Sequence, residues 1–435
     1  MMKNCMRFLI ILALIVTAGC AEFIDRPLAP HDTAAAFESR SLNDQNLRQF
    51  LESNLKRKVR PWPPAIWDFD TLSLAAFFYH PDLELARTQH EMAEAAEITA
   101  AQRPNPSVFF SPTYITHITG APFNPWILGV SPDIPIETAG KRDDRIAHAR
   151  QLSESARLKI ATAAWLVRSR LRSTLLNLYA AQRTEALRAE QVERQQEMLA
   201  LLEERLAVGE ISRPEVAVGQ LALEQARIAW HDAQQQVLQT RMLLADALGL
   251  PVTALSDIEI SFEALERLPP LDKLSAGEMR QQALFNRSDL LSSLAEYEAS
   301  QAAVQLEVAK QYPDLHLGPG VIYNQGEYKW VLGINLTLPV LNQNQGPIAE
   351  AEAHRKDSAA RFKALQARII GEIDRTSALA QADLQKLAAV DRWLDTQVRQ
   401  TQSAEALFQA GESDRLTVAP PIWTMPRPPW LASMR

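Results

Sequence analysis

The chain has 435 residues, with 45 Lys and Arg against 52 Asp and Glu and a formal net charge of -7. This balance lacks the basic footprint of a nucleic-acid-binding protein, so we exclude a nucleic-acid partner. Two cysteines and eight scattered histidines offer neither a disulfide framework nor metal-ligand spacing, so we expect no metal site and no cofactor.

The first element is a targeting segment at the N-terminus. Two basic residues precede the apolar run 8–16, and small residues then lead to Cys20. This order is typical of a signal peptide, and small residues ending in Cys resemble the lipobox of bacterial lipoproteins. We therefore expect residues 1–19 to be a lipoprotein signal peptide and Cys20 to be the lipid anchor, acylated with groups such as palmitate. The alternative is an ordinary secretory signal with an incidental cysteine.

A proline-rich segment at residues 20–70 then leads into two copies of one unit. Asp82, Leu83, Glu91 and Pro106 align with Asp289, Leu290, Glu298 and Pro313, and Trp126, Leu128, Gly129 and Pro135 align with Trp330, Leu332, Gly333 and Pro339. Matches that keep their order indicate an internal repeat. We expect a lipid-anchored linker at 20–70, a first repeat at 71–270 and a second, incomplete repeat at 271–418. Each reads as a helix, two strands, a very long helix, a Gly turn and a further helix.

The long helices are the largest predicted elements. No Gly or Pro occurs between Lys141 and Val208, and at about 1.5 Å per residue this helix would extend about 100 Å. Apolar residues recur at spacings of three and four, which predicts coiled-coil packing against other long helices. We expect the helix after Gly209 to pack back antiparallel and to bury Leu221, Leu223, Ile228 and Leu244.

Two segments alternate with a period of two and predict strands. They are 126–136 and 328–340, with partner strands at 107–116 and 315–323. About eleven residues suffice to cross a bilayer as a tilted strand. On the apolar face we expect a membrane-facing girdle of Trp126, Tyr328 and Trp330, and on the other face a barrel lumen lined by Ser131, Asp133, Lys329, Asn335 and Thr337. Two soluble hairpins that cover a core are the alternative.

Four strands cannot close a membrane barrel, because the smallest such barrels have about eight. An open edge in lipid would leave backbone groups unpaired. Several chains must then share one barrel.

These features together resemble the TolC family of outer-membrane efflux ducts, especially its lipidated CusC-like and CzcC-like members. The doubled unit, Asn105-Pro106, residues 336–340 and residues 205–209 carry the resemblance, which covers about Ser41 to Val418. It implies a mainly α fold, with long α-helical hairpins forming a periplasmic helical barrel, four transmembrane strands per protomer and a two-fold internal repeat. It also implies a homotrimer in the outer membrane lipid, a periplasmic adaptor and an inner-membrane transporter of the RND type.

The resemblance further assigns the adaptor contacts to the two periplasmic helix-turn tips. They are Arg205, Leu206, Val208 and Gly209 in the first copy and Leu407, Phe408, Ala410 and Gly411 in the second. The second tip lacks the Arg of the first. A plain helix stop at Gly is the alternative for both turns.

The C-terminal segment departs from the family pattern. Five prolines lie between Ala419 and Arg435, and they cannot continue a helix. We expect residues 419–435 to be an aberrant tail rich in Pro and Trp, as if the final helix had been lost by truncation or a frame shift.

The sequence contains no phosphate-binding Gly loop, nucleophile elbow or paired histidines on one helix, so we expect no enzymatic activity. The favoured function is the passive exit duct of a tripartite efflux system. The alternatives are a periplasmic coiled-coil scaffold lipoprotein and a truncated, non-functional efflux channel. Metal ions, drugs and organic solutes all remain open as substrates.

Overall fold

The computed structural model of the protein describes residues 21–116, 124–256, 258–266 and 276–412. The predicted lipid anchor Cys20, the signal peptide 1–19 and the tail 419–435 therefore lie outside the described residues.

The segment expected as a linker carries two helices and part of the core. Helix α1 spans Pro30–Glu38 and α2 spans Gln45–Leu55, and Asp44 caps α2 by accepting the N–H of Asn46. Two leucines of α2 are fully buried. A two-residue strand β1 (Ile66–Trp67) follows, and then α3 (Phe69–Tyr79), whose capping box joins Asp68 to Thr71. The N-terminal segment thus folds onto the body of the protein.

The remaining elements follow the same order in both halves of the chain. The first half has α4 (Pro81–Ala101), β2 (Ser107–Tyr114), β3 (Trp126–Ile136), α5 (Lys141–Ala207) and α6 (Arg213–Leu248). A 3-10 turn (Val252–Leu255), β4 (Glu259–Ile260), α7 (Glu263–Glu266) and α8 (Ala276–Asn286) connect the halves. The second half has α9 (Ser288–Ala309), β5 (Leu315–Asn324), β6 (Glu327–Leu336) and α10 (Gln345–Gln409).

Helix α5 has different neighbours along its length. Its first turns pack on α4 and α9, where Arg145 donates to Ala100 O and His148 to Ala299 O. Its remaining turns pack on α6, and Trp230 of α6 donates to Glu185. At about 1.5 Å per residue, the 67 residues of α5 extend about 100 Å, as the sequence predicts.

The main core lies where α2, α3, the middle of α5 and the end of α6 meet. Its fully buried members include Leu47, Leu72, Leu171, Leu178, Leu244 and Leu248. Arg40 closes the cluster from outside by donating to Tyr79 O (2.9 Å) and Gly249 O (3.0 Å). The N-terminal segment, α3 and the end of α6 are therefore held together at one level of the molecule.

The predicted seam between α5 and α6 is only half right. Leu223 and Leu244 are buried, but Leu221 and Ile228 are 65% and 62% exposed. The α6 face that meets α5 also uses small residues, Ala226 and Ala233, which allow close helix approach. Leucine-to-leucine spacing alone did not identify that face.

One antiparallel sheet holds four of the strands, in the order β2-β3-β5-β6, so the two hairpins meet along β3 and β5. Strand β6 ends at Leu336, four residues before the predicted end at Val340. Leu336 pairs with Leu315, the first residue of β5, so β5 offers no partner beyond that point. Thr337 consequently lies beyond the strand, and Val340 N–H donates to Leu338 O in a turn.

None of the helices in the described ranges combines the length and the apolar character that a membrane span requires.

Candidate functional site

The pairing register divides the sheet into an apolar face and a polar face, because directly paired residues of antiparallel strands share a face. Tyr114 pairs with Trp126, Leu128 with Tyr323, and Val321 with Trp330. The apolar face thus comprises Val108, Phe110, Tyr114, Trp126, Leu128, Val130, Ile134, Leu317, Val321, Tyr323, Tyr328, Trp330, Leu332 and Ile334. It is continuous across all four strands. Trp330 is 85% exposed on the isolated chain. An exposed apolar face of this size is typical of a surface that contacts another apolar surface.

Aromatic side chains cluster at the hairpin end of the apolar face. The Tyr114 and Trp126 rings lie 5.0 Å apart, and the Tyr323 and Tyr328 rings 5.4 Å apart. The predicted girdle residues Trp126, Tyr328 and Trp330 all share this face. Sequence reasoning missed Tyr114 and Tyr323, which the cross-strand register places on the same face.

Four of the five predicted lumen residues share the opposite face. These are Ser131, Asp133, Lys329 and Asn335, and the register adds Ser111, His316, Asn324 and Glu327 to them. The fifth, Thr337, follows β6 and is not part of the ladder. Apolar residues such as Phe109 and Val331 also lie here, so the polar face is mixed. Its centre is made of small residues, since Gly318 pairs directly with Gly333.

His316 contacts Asp133 on this polar face. The Nδ1 atom lies 3.1 Å from Oδ1 and 3.0 Å from Oδ2 of the carboxylate. The contact joins β5 to β3, and therefore joins the two halves of the chain. A lone His and a lone Asp separated by 183 positions give no local motif. Only the β3–β5 register could have identified the pair.

The sheet is fastened to the long helices by partly buried ion pairs. Asp314, just before β5, accepts from Lys141 Nζ at 2.7 Å and from Thr138 N–H at 3.0 Å. Arg145 of α5 donates to Glu137 and to Gln102 O. Burial acts to raise the pKa of Asp314, but the hydrogen bonds from Lys141 and Thr138 outweigh it and hold the pKa below its ordinary value. The orientation of the sheet is thereby coupled to the start of α5.

The two predicted adaptor tips have the same backbone geometry. At the end of α5, Gly209 N–H donates to Leu206 O (3.0 Å) and Glu210 N–H to Arg205 O (2.9 Å). At the end of α10, Gly411 and Glu412 make the corresponding bonds to Phe408 and Leu407. Both glycines have a positive φ, so each turn is a Schellman stop. The plain helix-stop interpretation therefore describes the backbone of both turns.

The tips differ in the side chains that they present. Val208 is exposed at the first tip. There, Arg205 Nε lies 3.7 Å from Glu210 Oε2. Leu407, Phe408 and Ala410 are exposed at the second. Leu206 is half-buried. Each tip therefore offers a small apolar patch, and only the first adds an Arg.

A sequence model described as outer membrane efflux protein matches residues 79–250 and 279–420. The chain belongs to the outer membrane efflux protein family. This membership confirms the resemblance to the TolC-type efflux channels that the sequence motifs indicate.

Two curated relatives extend the comparison. The cobalt-zinc-cadmium resistance protein CzcC of Cupriavidus metallidurans is 25% identical over 221 residues, which cover 50% of this chain and 51% of CzcC. The pyoverdine export outer membrane protein OpmQ of Pseudomonas aeruginosa is 25% identical over 304 residues, covering 67% of this chain and 62% of OpmQ. The chain thus spans about half to three fifths of the length of these relatives.

The fold of this family member also matches a solved structure of CusC. The TM-score is 0.64 at 19% identity, and the match covers 92% of this chain and 91% of that chain. The CusC structures concern conformational changes that accompany folding and transmembrane channel formation. The likeness shows a common fold over that share of the chain.

Proposed function

We propose that this protein is the outer-membrane exit duct of a tripartite efflux system. The observation that carries the proposal is the four-stranded sheet, whose continuous apolar face suits lipid and whose mixed, glycine-centred polar face suits a water-filled lumen. This sheet is joined by partly buried ion pairs to helices about 100 Å long. A periplasmic scaffold would have no use for an exposed apolar sheet face.

Closure of the barrel requires further copies of the chain. Strands β2 and β6 are the edges of the sheet, and in lipid their free backbone groups would each cost several kcal/mol. If β6 of one copy pairs with β2 of the next, three copies form a ring of about twelve strands, which exceeds the minimum of about eight. We therefore propose a homotrimer with four transmembrane strands per protomer.

Helix α10 supports the same assembly. Among the described residues of α10, only Ala351 and Ile369 are buried, and its last forty residues expose Leu384, Val390, Trp393 and Leu407. An apolar stripe of this length on a helix calls for cover by another helix. In the proposed trimer, neighbouring copies provide that cover and form the periplasmic helical barrel.

The proposal also assigns the lipid anchor, the adaptor contacts and the partner transporter. Cys20 anchors the chain to the outer membrane through its lipid, and the tips at Gly209 and Gly411 contact a periplasmic adaptor. An inner-membrane transporter of the RND type supplies the energy, so the duct itself conducts passively and performs no catalysis. The repeats at 71–270 and 271–418 are the two structural units of each protomer. The relatives CzcC and OpmQ are named for different cargoes, so the family name alone does not select a substrate.

Adjacent cysteine substitutions test the orientation of the sheet. Val331 pairs with Gly320 on the polar face, whereas Leu332 pairs with Pro319 on the apolar face. Cysteine occurs naturally only at positions 5 and 20, so single-cysteine labelling is clean in a background that carries both Cys5→Ser and Cys20→Ser. In intact outer membranes, Val331→Cys should react with a charged, water-soluble maleimide, and Leu332→Cys should react only after denaturation. Equal labelling of the two native proteins would show that the sheet does not separate water from lipid.

A further inference from the structure

The two hairpins of the sheet pair in equivalent registers. The spacing that aligns Pro106 with Pro313 relates β2 to β5. The spacing that aligns Trp126 with Trp330 relates β3 to β6. Applied to two pairs of the first hairpin, these spacings give two pairs of the second: Tyr114–Trp126 gives Val321–Trp330, and Phe110–Val130 gives Leu317–Ile334. The sequence repeat is therefore also a repeat of strand pairing.

The helices beside the hairpins repeat in the same way. The N-cap residues of α4 and α9, His80 and Arg287, have the spacing that relates β2 to β5. The N-cap residues of α5 and α10, Gly140 and Asn344, share a left-handed backbone and have the spacing that relates β3 to β6. The repeat thus fixes which residues of the four helices correspond to each other.

The two units meet inside one chain where β3 pairs with β5 and α5 packs on α9, an interface that we call the internal joint. The helices follow the order of the strands, since α4 packs on α5 and α10 packs on α9. The elements that correspond to the two sides of the internal joint therefore lie at opposite edges. They are β6 and α10 at one edge, and β2 and α4 at the other. A second copy of the chain can supply the side that each edge lacks.

The exposed side chains of α4 mark the helical part of such an interface. Leu85 and Met92 are 58% and 71% exposed. The repeat aligns them with Ser292 and Ala299 of α9, which are 3% and 1% exposed. Both α9 residues contact α5: Ser292 Oγ lies 3.0 Å from Ser155 Oγ, and Ala299 O lies 2.8 Å from His148 Nδ1. Large apolar side chains on α4 thus lie exposed at the positions where α9 is covered by a helix.

The edge strands show the same difference. Leu338 follows the end of β6 and is exposed. The repeat aligns it with Ile134 of β3, which pairs with Leu317 of β5. The residue of β2 that corresponds to Leu317 is Phe110, which is also exposed. Two exposed apolar residues on opposite edges therefore correspond to one direct pair inside the chain.

We propose that copies of this chain join through β6 of one copy and β2 of the next in the register of the internal joint. The direct pairs, with the second residue from the neighbouring copy, are Ile334–Tyr114, Leu338–Phe110 and Val340–Val108. Residues 337–340 then extend β6 only on assembly. Below the sheet, α10 packs on α4 of the neighbouring copy, with Ala359 against Leu85 and Glu352 beside Met92. The proposal rests on the proposed function, because it takes the assembly to be the closed barrel.

The interface between copies differs from the internal joint in charge. Two ion pairs cross the internal joint: Lys141–Asp314 and Lys159–Glu296. The corresponding positions between copies hold no acid: Gln345–Ser107 and Lys363–Gln89. Apolar burial, which salt does not screen, is therefore what joins the copies.

The test uses double-cysteine variants of the full chain in outer membranes, in the Cys5→Ser and Cys20→Ser background, treated with a membrane-permeant oxidant. Ile334→Cys with Tyr114→Cys, and Leu338→Cys with Phe110→Cys, should give covalent dimers and trimers on denaturing gels, because direct pairs come within disulfide range. In one chain β2 and β6 lie three strand spacings apart, about 14 Å, so such a link joins two copies.

Exchanging the partners gives matched controls with the same four cysteines. Ile334→Cys with Phe110→Cys, and Leu338→Cys with Tyr114→Cys, are about 13 Å out of register and should stay monomeric. Leu85→Cys with Ala359→Cys tests the helices without altering the sheet, and it decides the question if the strand variants do not reach the membrane. Its control, Leu85→Cys with Glu352→Cys, is about 10 Å out of register.

Potassium conductance of the wild type across planar bilayers separates this proposal from the proposed function. If the wild type conducts K⁺ but the exchanged pairs cross-link instead of the matched pairs, or no pair cross-links, the register is overturned and the duct stands. If only the matched pairs cross-link and the wild type does not conduct, the register stands and the duct fails. Absence of both cross-linking and conductance overturns both proposals.

Discussion

Lys141 Nζ lies 2.7 Å from Asp314 Oδ1, and this contact ties the first turn of α5 to the residue that precedes β5. The pKa of Asp314 is held below its ordinary value, so the ionised carboxylate stabilises the folded state above the unfolded pKa of about 3.9. That stabilisation is lost as the pH falls through the lower pKa of the folded protein.

Asp314→Asn should therefore lower the midpoint of thermal unfolding at pH 7, and the difference from wild type should shrink below about pH 4. Unfolding followed by circular dichroism between about pH 3 and pH 7 measures this difference. Asp357→Asn is the control, since Asp357 pairs with Arg361 on an exposed helix surface. It should change the midpoint little at any pH. A gap for Asp314→Asn that is independent of pH would contradict the assignment.

Substitutions at two glycines that share a positive φ distinguish the cost of backbone strain from the cost of a steric clash. Gly209 has φ +78°, and apart from its two chain neighbours no residue lies within 4 Å of the position that a Cβ would occupy, whereas at Gly249 (φ +71°) a Cβ would lie 2.8 Å from Tyr79 O. Gly209→Ala should cost roughly 1–2 kcal/mol for the left-handed backbone. Gly249→Ala should cost roughly 1–3 kcal/mol more, because backbone atoms must move. Chemical denaturation of the two variants measures the difference, and equal losses would show that the contact relaxes freely.

Photo-crosslinking from the exposed position 208 tests whether the helix-turn tips contact the adaptor. A photo-crosslinking residue at position 208 should give an adduct with the periplasmic adaptor in cells that express the whole pump. The same residue at Met92, which is exposed on α4 far from the tip in sequence, is the control. A further position at Phe408 examines the second tip, which lacks the Arg. Adducts of equal yield from positions 92, 208 and 408 would argue against docking at the tips.

The lipid anchor has a direct chemical test. Cells grown with a clickable fatty-acid analogue should label the wild type but not Cys20→Ser. The sheet would still hold the substituted protein in the membrane, so its outer-membrane fraction should fall only in part. Labelling of both proteins to the same extent would remove Cys20 as the acylated residue.

The regular elements could be predicted because their signals are local. The absence of Gly and Pro after Lys141 anticipates α5 to within a residue, and the period-two alternation around Trp330 anticipates β6. The predicted end of β6 at Val340 is too late, because alternation continues through Leu338 and Val340 although the partner strand β5 begins opposite Leu336. The alternation of one strand does not show where its partner begins.

The parts that could not be predicted depend on contacts between distant segments. Arg40 reaches the carbonyl groups of Tyr79 and Gly249, and a proline-rich sequence gives no hint that it folds onto a core. His316 and Asp133 meet only because the two hairpins pair along β3 and β5. Such contacts are fixed by tertiary register, which no local spacing encodes.

The main core packs around α5 close to the midpoint of the helix, where Leu171 and Leu178 are fully buried. About 45 Å of helix extends from this buried segment to Lys141, and about the same length extends to Ala207. The two arms are held differently, because the Lys141 arm packs on α4 and α9 and is tied to Asp314, whereas the Ala207 arm packs on α6 alone. A sideways push on the Gly209 turn would therefore be carried by the pair α5 and α6 and would be resisted first where Leu171 and Leu178 are buried, before it could reach the sheet.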